Sequence, residues 1–231
     1  MTLNTKGPCA QCSRMFSKSK ASSHLLQCIA ETFAPSESTT EGYLICVSSC
    51  DYPSWYWMFI TVPKDFTLKD VDYFLRDIWL ECCGHMSAFY IGDLDYSSYP
   101  MTGDGTQSMN KKMGQILSPG LKFTYTYDMG SSTDLKLDVV ATVTACPDDE
   151  ITLIMRNDPP AFLCEICNKS AETICTLCGG KTCKGCNEKH SCVIKEDDTY
   201  MLSNLVNSPR TGVCGYEYRL DLMNQAQAHG S

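Results

Sequence analysis

The feature that most constrains this chain is a run of eight cysteine and histidine residues within twenty-nine positions. They form four pairs, which are Cys164/Cys167, Cys175/Cys178, Cys183/Cys186 and His190/Cys192. A Cys-x2-Cys pair places two thiolates on one side of a tight turn, at a separation that suits a tetrahedral Zn²⁺ ion. Four pairs make two complete ligand sets and leave no position for a reacting water. The sequence therefore predicts two structural zinc sites rather than catalytic ones.

The order and spacing of these pairs resemble a B-box or a related cross-braced zinc module. The resemblance implies that the first and third pairs share one ion, and that the second and fourth share the other. The assigned sets are then Cys164, Cys167, Cys183 and Cys186 for one ion, and Cys175, Cys178, His190 and Cys192 for the other. Sequential pairing, as in a zinc ribbon, stays open as the alternative. Loops this short cannot build a core without metal, so folding is expected to depend on metal binding.

A third ligand set lies at the start of the chain, where Cys9, Cys12, His24 and Cys28 are spaced as C-x2-C-x11-H-x3-C. The pair His24/Cys28 falls on one face of a short predicted helix. This segment resembles a small zinc finger with cysteine as its last ligand. It has one of two roles. It contacts nucleic acid through three basic residues, Arg14, Lys18 and Lys20, or it is a metal-stapled terminus that packs on its own chain.

Charge and cysteine content narrow the class of protein. Residues 29–160 carry 19 acidic and 8 basic residues, which argues against this part lying on a phosphate backbone. The 16 cysteines cluster at metal spacing, which favours zinc in a reducing cytoplasm over disulfides. The expected cofactor is Zn²⁺, about three per chain by ligand count. No apolar run is long enough to span a membrane, and no signal peptide is expected.

Composition shifts divide the chain into five parts. These are a zinc finger (1–33), a linker (34–42), a central domain (43–157), a double-zinc module (158–195) and a C-terminal extension (196–231) whose end is expected to be disordered. The central part alternates β-branched and aromatic residues and contains one helical stripe that begins at Thr67. The predicted fold class is α+β, with a mostly antiparallel sheet, one main helix and two flanking zinc-binding modules.

Within the central domain, the segments VPKDFTLKDVDYFLRDIW, GHMSAFYIGDLDY and FTYTYDMGSSTDLKLDV resemble the plasmid pRiA4b open-reading-frame-three-like family. The matching positions are Val62, Pro63, Thr67, Leu68, His85, Phe89, Tyr125, Tyr127, Asp128 and Gly130. The resemblance covers about residues 43–155 and implies a compact α+β fold without a defined activity. The chain departs from the family after Gly130, where Ser131–Asp134 replace its usual tryptophan and histidine.

The remaining reactive residues suggest no catalytic set. His85 is interpreted as a core or edge histidine, and Asp128 as a turn residue. Cys82 and Cys83 are interpreted as buried apolar residues, and the spacing of Cys214 supports no fourth metal site. The sequence thus favours a non-enzymatic interaction or adaptor protein with a protein partner. The alternative is a nucleic-acid-binding accessory protein of a plasmid or mobile element. The oligomeric state stays open.

Overall fold

The computed structural model describes residues 4–32, 39–101, 103, 105–147, 150–196 and 199–216. Its α-helices are α1 (Lys18–Thr32), α2 (Leu68–Leu75), α3 (Met113–Ile116) and α4 (Ser191–Glu196), and it also has a π-helix at Arg76–Leu80 and a 3₁₀-helix at Lys184–Lys189. Its strands are β1 (Lys6–Pro8), β2 (Met15–Ser17), β3 (Thr39–Ser49), β4 (Trp57–Pro63), β5 (Ser87–Ile91), β6 (Leu94–Ser97), β7 (Gln107–Ser108), β8 (Lys122–Tyr127), β9 (Thr133–Pro147), β10 (Thr152–Arg156), β11 (Thr173–Cys175), β12 (Lys181–Thr182) and β13 (Leu202–Asn204). None of the helices in these ranges is both long and apolar enough to cross a bilayer.

An eight-stranded sheet forms the centre of the molecule, in the order β10-β4-β3-β9-β8-β5-β6-β7. Every neighbouring pair is antiparallel except β6 and β7. Strands joined by hairpin-type connections pair in this way because a short turn reverses the chain. The predicted α+β class with a mostly antiparallel sheet is confirmed.

Helix α2 begins where the sequence predicts it. Thr67 and Asp70 form a capping box, in which each side chain accepts a hydrogen bond from the other residue's backbone N–H. Leu68, Val71 and Leu75 are fully buried against the sheet. The chain then continues as a π-helical turn, Arg76–Leu80, which buries Trp79. The single predicted stripe is therefore an α-helix followed by a wider turn.

Strand β3 is buried along most of its length because both faces of the sheet are covered there. Tyr43, Ile45 and Val47 face the main core, which contains α2. The alternate residues Leu44 and Cys46 pack instead with residues of the N-terminal finger. Successive side chains of a strand point to opposite faces, so one strand serves both cores. Residues 39–42 of the predicted linker belong to this strand, and residues 33–38 lie outside the described ranges.

The C-terminal part forms a second small sheet, in the order β12-β11-β13. After β13 the chain returns to the central domain, where Ser208 and Arg210 are fully buried. The Ser208 hydroxyl donates to the Trp79 carbonyl at 2.6 Å. We call residues 205–216 the strap. The predicted disordered end lies in residues 217–231, outside the described ranges.

Candidate metal centres

Four groups of cysteine and histidine side chains converge within the described residues. In each group one sulfur or nitrogen atom from every member lies within 4.8 Å of the others. The groups are Cys9/Cys12/His24/Cys28, Cys164/Cys167/Cys183/Cys186, Cys175/Cys178/His190/Cys192 and Cys82/Cys83/His85/Cys214. We call them the finger site, the first module site, the second module site and the strap site.

Three of the groups are built on the same backbone turn. The N–H groups of Ser13, Asn168 and Gly179, each four residues after the first cysteine of a pair, donate to that cysteine's carbonyl at 2.8, 2.9 and 2.8 Å. Each of these residues has a positive φ, of 57°, 58° and 73°. Glycine and asparagine tolerate this left-handed backbone better than most residues. The turn aims both thiols of a Cys-x2-Cys pair at a single point.

The atom separations in these three groups fit a tetrahedral zinc site. With zinc–sulfur bonds of about 2.3 Å and zinc–nitrogen bonds of about 2.0 Å, tetrahedral edges are roughly 3.8 Å between sulfurs and 3.5 Å between sulfur and nitrogen. Two sulfur–sulfur edges measure 3.9 Å in the finger site and 3.6 Å in the first module site. Sulfur–nitrogen edges to His24 and His190 measure 3.4 and 3.3 Å. The donor chemistry and spacing both suit Zn²⁺.

Electrostatics favours the thiolate form of one cysteine in the finger site and of one in the first module site. A hydrogen bond from the Arg14 guanidinium lowers the pKa of the Cys12 thiol to about 7. Burial raises the pKa of Cys164, but backbone N–H groups near its sulfur outweigh burial and lower that pKa to about 6. The pKa of Cys186 instead rises to about 12, through its contact with the Cys167 sulfur and through burial. Neighbouring thiolates repel each other, and a divalent cation would offset that repulsion. Metal binding and the release of thiol protons are therefore coupled.

The structure brings together the twelve residues predicted as ligands, in three sets of four. The two module sites combine the first pair with the third and the second with the fourth, which is the cross-braced arrangement rather than the sequential one. Strand β11 ends at Cys175 of the second module site and pairs with β12, which ends directly before Cys183 of the first module site. Ligation of zinc by these side chains stays a prediction.

The strap site lies outside the sequence predictions and corrects three of them. Cys83 and Cys214 are exposed, while Cys82 and His85 are half-buried. Cys82 and Cys83 are therefore not buried apolar residues, and Cys214 does join a fourth group, whereas a half-buried His85 agrees with its interpretation as an edge histidine. The number of candidate sites is four rather than three. No Cys-x2-Cys spacing marks this group, and its last member is more than a hundred residues away in sequence.

The finger packs on its own chain. Ala21, Leu25 and Ile29 of α1 are buried against Trp57 and Phe59 of the sheet. Backbone hydrogen bonds extend the contact, since Ala10 donates to the Ile154 carbonyl at 2.9 Å and Asp158 donates to Lys6 at 2.7 Å. The finger helix thus presents its apolar face to the sheet.

The predicted nucleic-acid contacts have different surroundings. Arg14 donates to the Cys12 sulfur at 3.4 Å and lies over the Phe16 ring. Lys18 donates to the Pro53 carbonyl at 3.4 Å. Lys20 is exposed. Binding of nucleic acid by these three residues stays a prediction.

A substitution at Gly7 tests whether the finger is fixed to the sheet. A Cβ at Gly7 would overlap the carbonyl of Arg156 on β10, so Gly7→Ala should push β1 off the sheet. We expect a loss of about 1–3 kcal/mol in the free energy of unfolding, measured by denaturant titration. The matched control is Gly185→Ala, where an added Cβ meets nothing within 4 Å. Equal stability of the two variants would show that the finger is not fixed to the sheet.

Fold and ligand sets together define a sheet-centred α+β protein with candidate metal sites in its finger, its C-terminal module and its strap. Comparison with protein-family models gives no match, and no curated protein matches. Among solved structures, the chain is similar to the crystal structure of the protein of unknown function MM3350 from Methanosarcina mazei Go1. The identity is 18% and the TM-score 0.43, over 50% of this chain and 68% of that one. The resemblance to the pRiA4b-type family is not confirmed by these comparisons.

Proposed function

We propose that this chain is a zinc-binding, non-enzymatic interaction protein of the cytoplasm, in which closed zinc sites shape a surface for a protein partner. None of the fifteen cysteines whose side chains are described forms a disulfide bond, which supports a reducing compartment. Each candidate group already supplies four ligands, so zinc bound there would hold the fold and leave no coordination position for a substrate.

The observation that carries the partner proposal is the position of two exposed apolar side chains. Ile166 and Leu177 occupy the same place in their respective turns, directly before the second cysteine of a Cys-x2-Cys pair. Their side chains are 44% and 60% exposed. Single exposed apolar residues are common on protein surfaces. Here two such residues occupy equivalent positions in two similar turns, so the module exposes the same kind of apolar side chain twice.

These turns present the side chains rigidly. The N–H groups of Asn168 and Gly179 close them through hydrogen bonds to the first cysteine of each pair. A rigid apolar side chain loses little conformational entropy on binding, so more of its burial energy is available as affinity. Two further apolar side chains near ligands are also exposed. They are Leu163, directly before Cys164, and Ile194, two residues after Cys192. The proposed partner is therefore a protein with an apolar recess.

The test is a double substitution, Ile166→Asp with Leu177→Asp. We expect partner capture from the native extract, quantified by mass spectrometry, to fall at least about tenfold, which corresponds to about 1.4 kcal/mol. The zinc content should not change, because neither side chain is a ligand.

The matched control places the same substitutions on the central domain, at Leu94 and Met101, which are 48% and 67% exposed. These variants should capture the partner like the unmodified protein. If both double variants lose the partner equally, or neither does, the module turns are not the contact surface.

A further inference from the structure

We propose that Cys82, Cys83, His85 and Cys214 form a fourth zinc-class site, which fastens the strap to the central domain. The proposal concerns a site separate from the partner surface and does not depend on it. Its four ligand atoms lie within 4.8 Å of one another, although Cys83 and Cys214 are 131 residues apart in sequence.

The separations between ligand atoms resemble those of the other groups. Sulfur–sulfur distances are 3.5 Å for Cys82/Cys83 and 3.7 Å for Cys83/Cys214. The His85 Nε2 atom lies 3.4 Å from the Cys214 sulfur, close to the tetrahedral edge of roughly 3.5 Å. Its 2.9 Å distance to the Cys83 sulfur is shorter. Because His85 is half-exposed, its ring has room to move outward when an ion enters.

The backbone holds the three central-domain members in place without metal. They follow the π-helical turn, and Gly84 between them has a φ of +76°, which the lack of a Cβ makes accessible. The His85 carbonyl accepts a hydrogen bond from Arg76 at 2.6 Å. The Tyr127 hydroxyl accepts from the Cys82 and His85 N–H groups, at 3.4 Å each. This segment is therefore a fixed half-site.

Arg210 positions the strap segment that carries Cys214, the fourth member of the site. Its side chain is fully buried, and its guanidinium donates to the Ser131 carbonyl at 2.8 Å and to an Asp128 oxygen at 2.7 Å. Four residues later the chain reaches Cys214, whose own φ is 51°. The strap is thus anchored before the site and delivers Cys214 to it.

The surroundings of the four ligands also suit a metal site. Arg210 donates to the Cys82 sulfur at 3.5 Å. A cationic donor beside a ligand sulfur is an outer contact of the kind that orients metal ligands. The Asp128 carboxylate lies 3.5 Å from His85 Nε2, the nitrogen that would bind the ion, and it is itself paired with Arg210. Three thiols and one imidazole match the donor set of Cys₃His structural zinc.

The strap itself also contacts the double-zinc module. A Cβ at Gly212 would press on the Ile174 side chain of β11, so the strap passes directly over this strand. Asn207 of the strap hydrogen bonds with Asn157 at the end of the central domain, at 2.8 Å. A metal at Cys214 would therefore fix the strap against both the sheet and the module.

The experiment counts zinc in the full chain by native mass spectrometry. We expect four ions per chain in the unmodified protein and three in Cys83→Ser/Cys214→Ser, since one of four candidate groups is removed. Amide hydrogen exchange should rise across residues 205–216 in this variant and not in the finger. Cys50→Ser is the matched control, because Cys50 is exposed and belongs to none of the four groups.

Cys214→His separates loss of a ligand from misfolding, because histidine can replace cysteine as a zinc ligand. This variant should keep the fourth ion that the double serine variant loses. Three ions in the unmodified protein, or an unchanged count in the double serine variant, would overturn the proposal. A Cys83–Cys214 disulfide in the protein isolated under non-reducing conditions would overturn it as well.

Discussion

Removal of zinc from the full chain by a chelator is expected to unfold the module of residues 164–192 and to leave the eight-stranded sheet folded. Among the described residues, the module's own buried apolar cluster is Cys175, Val193 and Met201. So small a core cannot offset the conformational entropy of ordering the chain. A structural zinc site contributes about 10–16 kcal/mol to the folding of such modules at neutral pH. Amide hydrogen exchange on the loaded and chelated protein measures the effect.

The sheet should persist because the buried residues of its main core, on the face that packs against α2, include none of the candidate metal ligands. Fully buried residues such as Ile45, Ile60 and Trp79 join the sheet to α2. All three tryptophans, Trp55, Trp57 and Trp79, lie between residues 43 and 157. Tryptophan fluorescence therefore reports on the sheet while hydrogen exchange reports on the module. The emission maximum should shift only partly, through Trp57 at its contact with the finger, and not to the value of the unfolded chain, as exchange across the module becomes complete.

Cys164→Ser should reproduce the result for the module alone, since it removes one ligand of the first module site. Cys50→Ser changes the same atom at an exposed position outside the four groups and should leave hydrogen exchange unaltered. A module that keeps its protection after complete metal removal would contradict the prediction, and so would simultaneous melting of sheet and module.

The sequence predicts the local part of the metal chemistry well, for a physical reason. In the finger and the module, the ligands of a pair are two to four residues apart, and the turn or helix between them fixes their directions. The same applies to α2, where Thr67 and Asp70 cap the helix from within a single turn. Wherever one turn of backbone decides the geometry, the residue pattern is sufficient.

The strap site shows where such reasoning ends. Cys82, Cys83 and His85 are adjacent in sequence, but the fourth member arrives only after the chain has completed the sheet and the module. No spacing rule connects residues 131 positions apart. The burial of both faces of β3 cannot be predicted from the sequence for a similar reason. It depends on the finger packing against the face of the sheet opposite α2. Both features are consequences of tertiary packing.

Arg76→Met is expected to lower the stability of the central domain by about 3–5 kcal/mol, the usual cost of removing one partner from a buried ion pair. The Arg76 side chain is 11% exposed and pairs with Asp72, which is 3% exposed, at 2.9 Å. It also pairs with Glu81 at 2.8 Å and donates to the Ser87 hydroxyl at 3.0 Å. Methionine fills similar volume but would leave the Asp72 carboxylate buried without its cation.

Once Arg76 is removed, the negative charge of the Asp72 carboxylate is difficult to compensate, because its other hydrogen-bond partners are neutral. Its Oδ1 atom accepts hydrogen bonds from the Ser87 and Tyr125 hydroxyls, at 2.6 and 2.7 Å. These bonds orient the carboxylate but do not neutralise its charge. Denaturant titration followed by tryptophan fluorescence should give a lower midpoint with little change in slope, because a similar surface is exposed on unfolding.

Lys69→Met is the matched control on the same helix. Lys69 is exposed, and its ammonium lies 5.5 Å from the ring centre of Tyr73, itself 53% exposed. The substitution removes the same unit of charge in water, where such a change alters stability by no more than about 0.5 kcal/mol. A similar loss in both variants would mean that net charge matters rather than the buried pair. A loss confined to Arg76→Met would show that this network holds the π-helical turn, and with it the half-site of Cys82, Cys83 and His85, against the sheet.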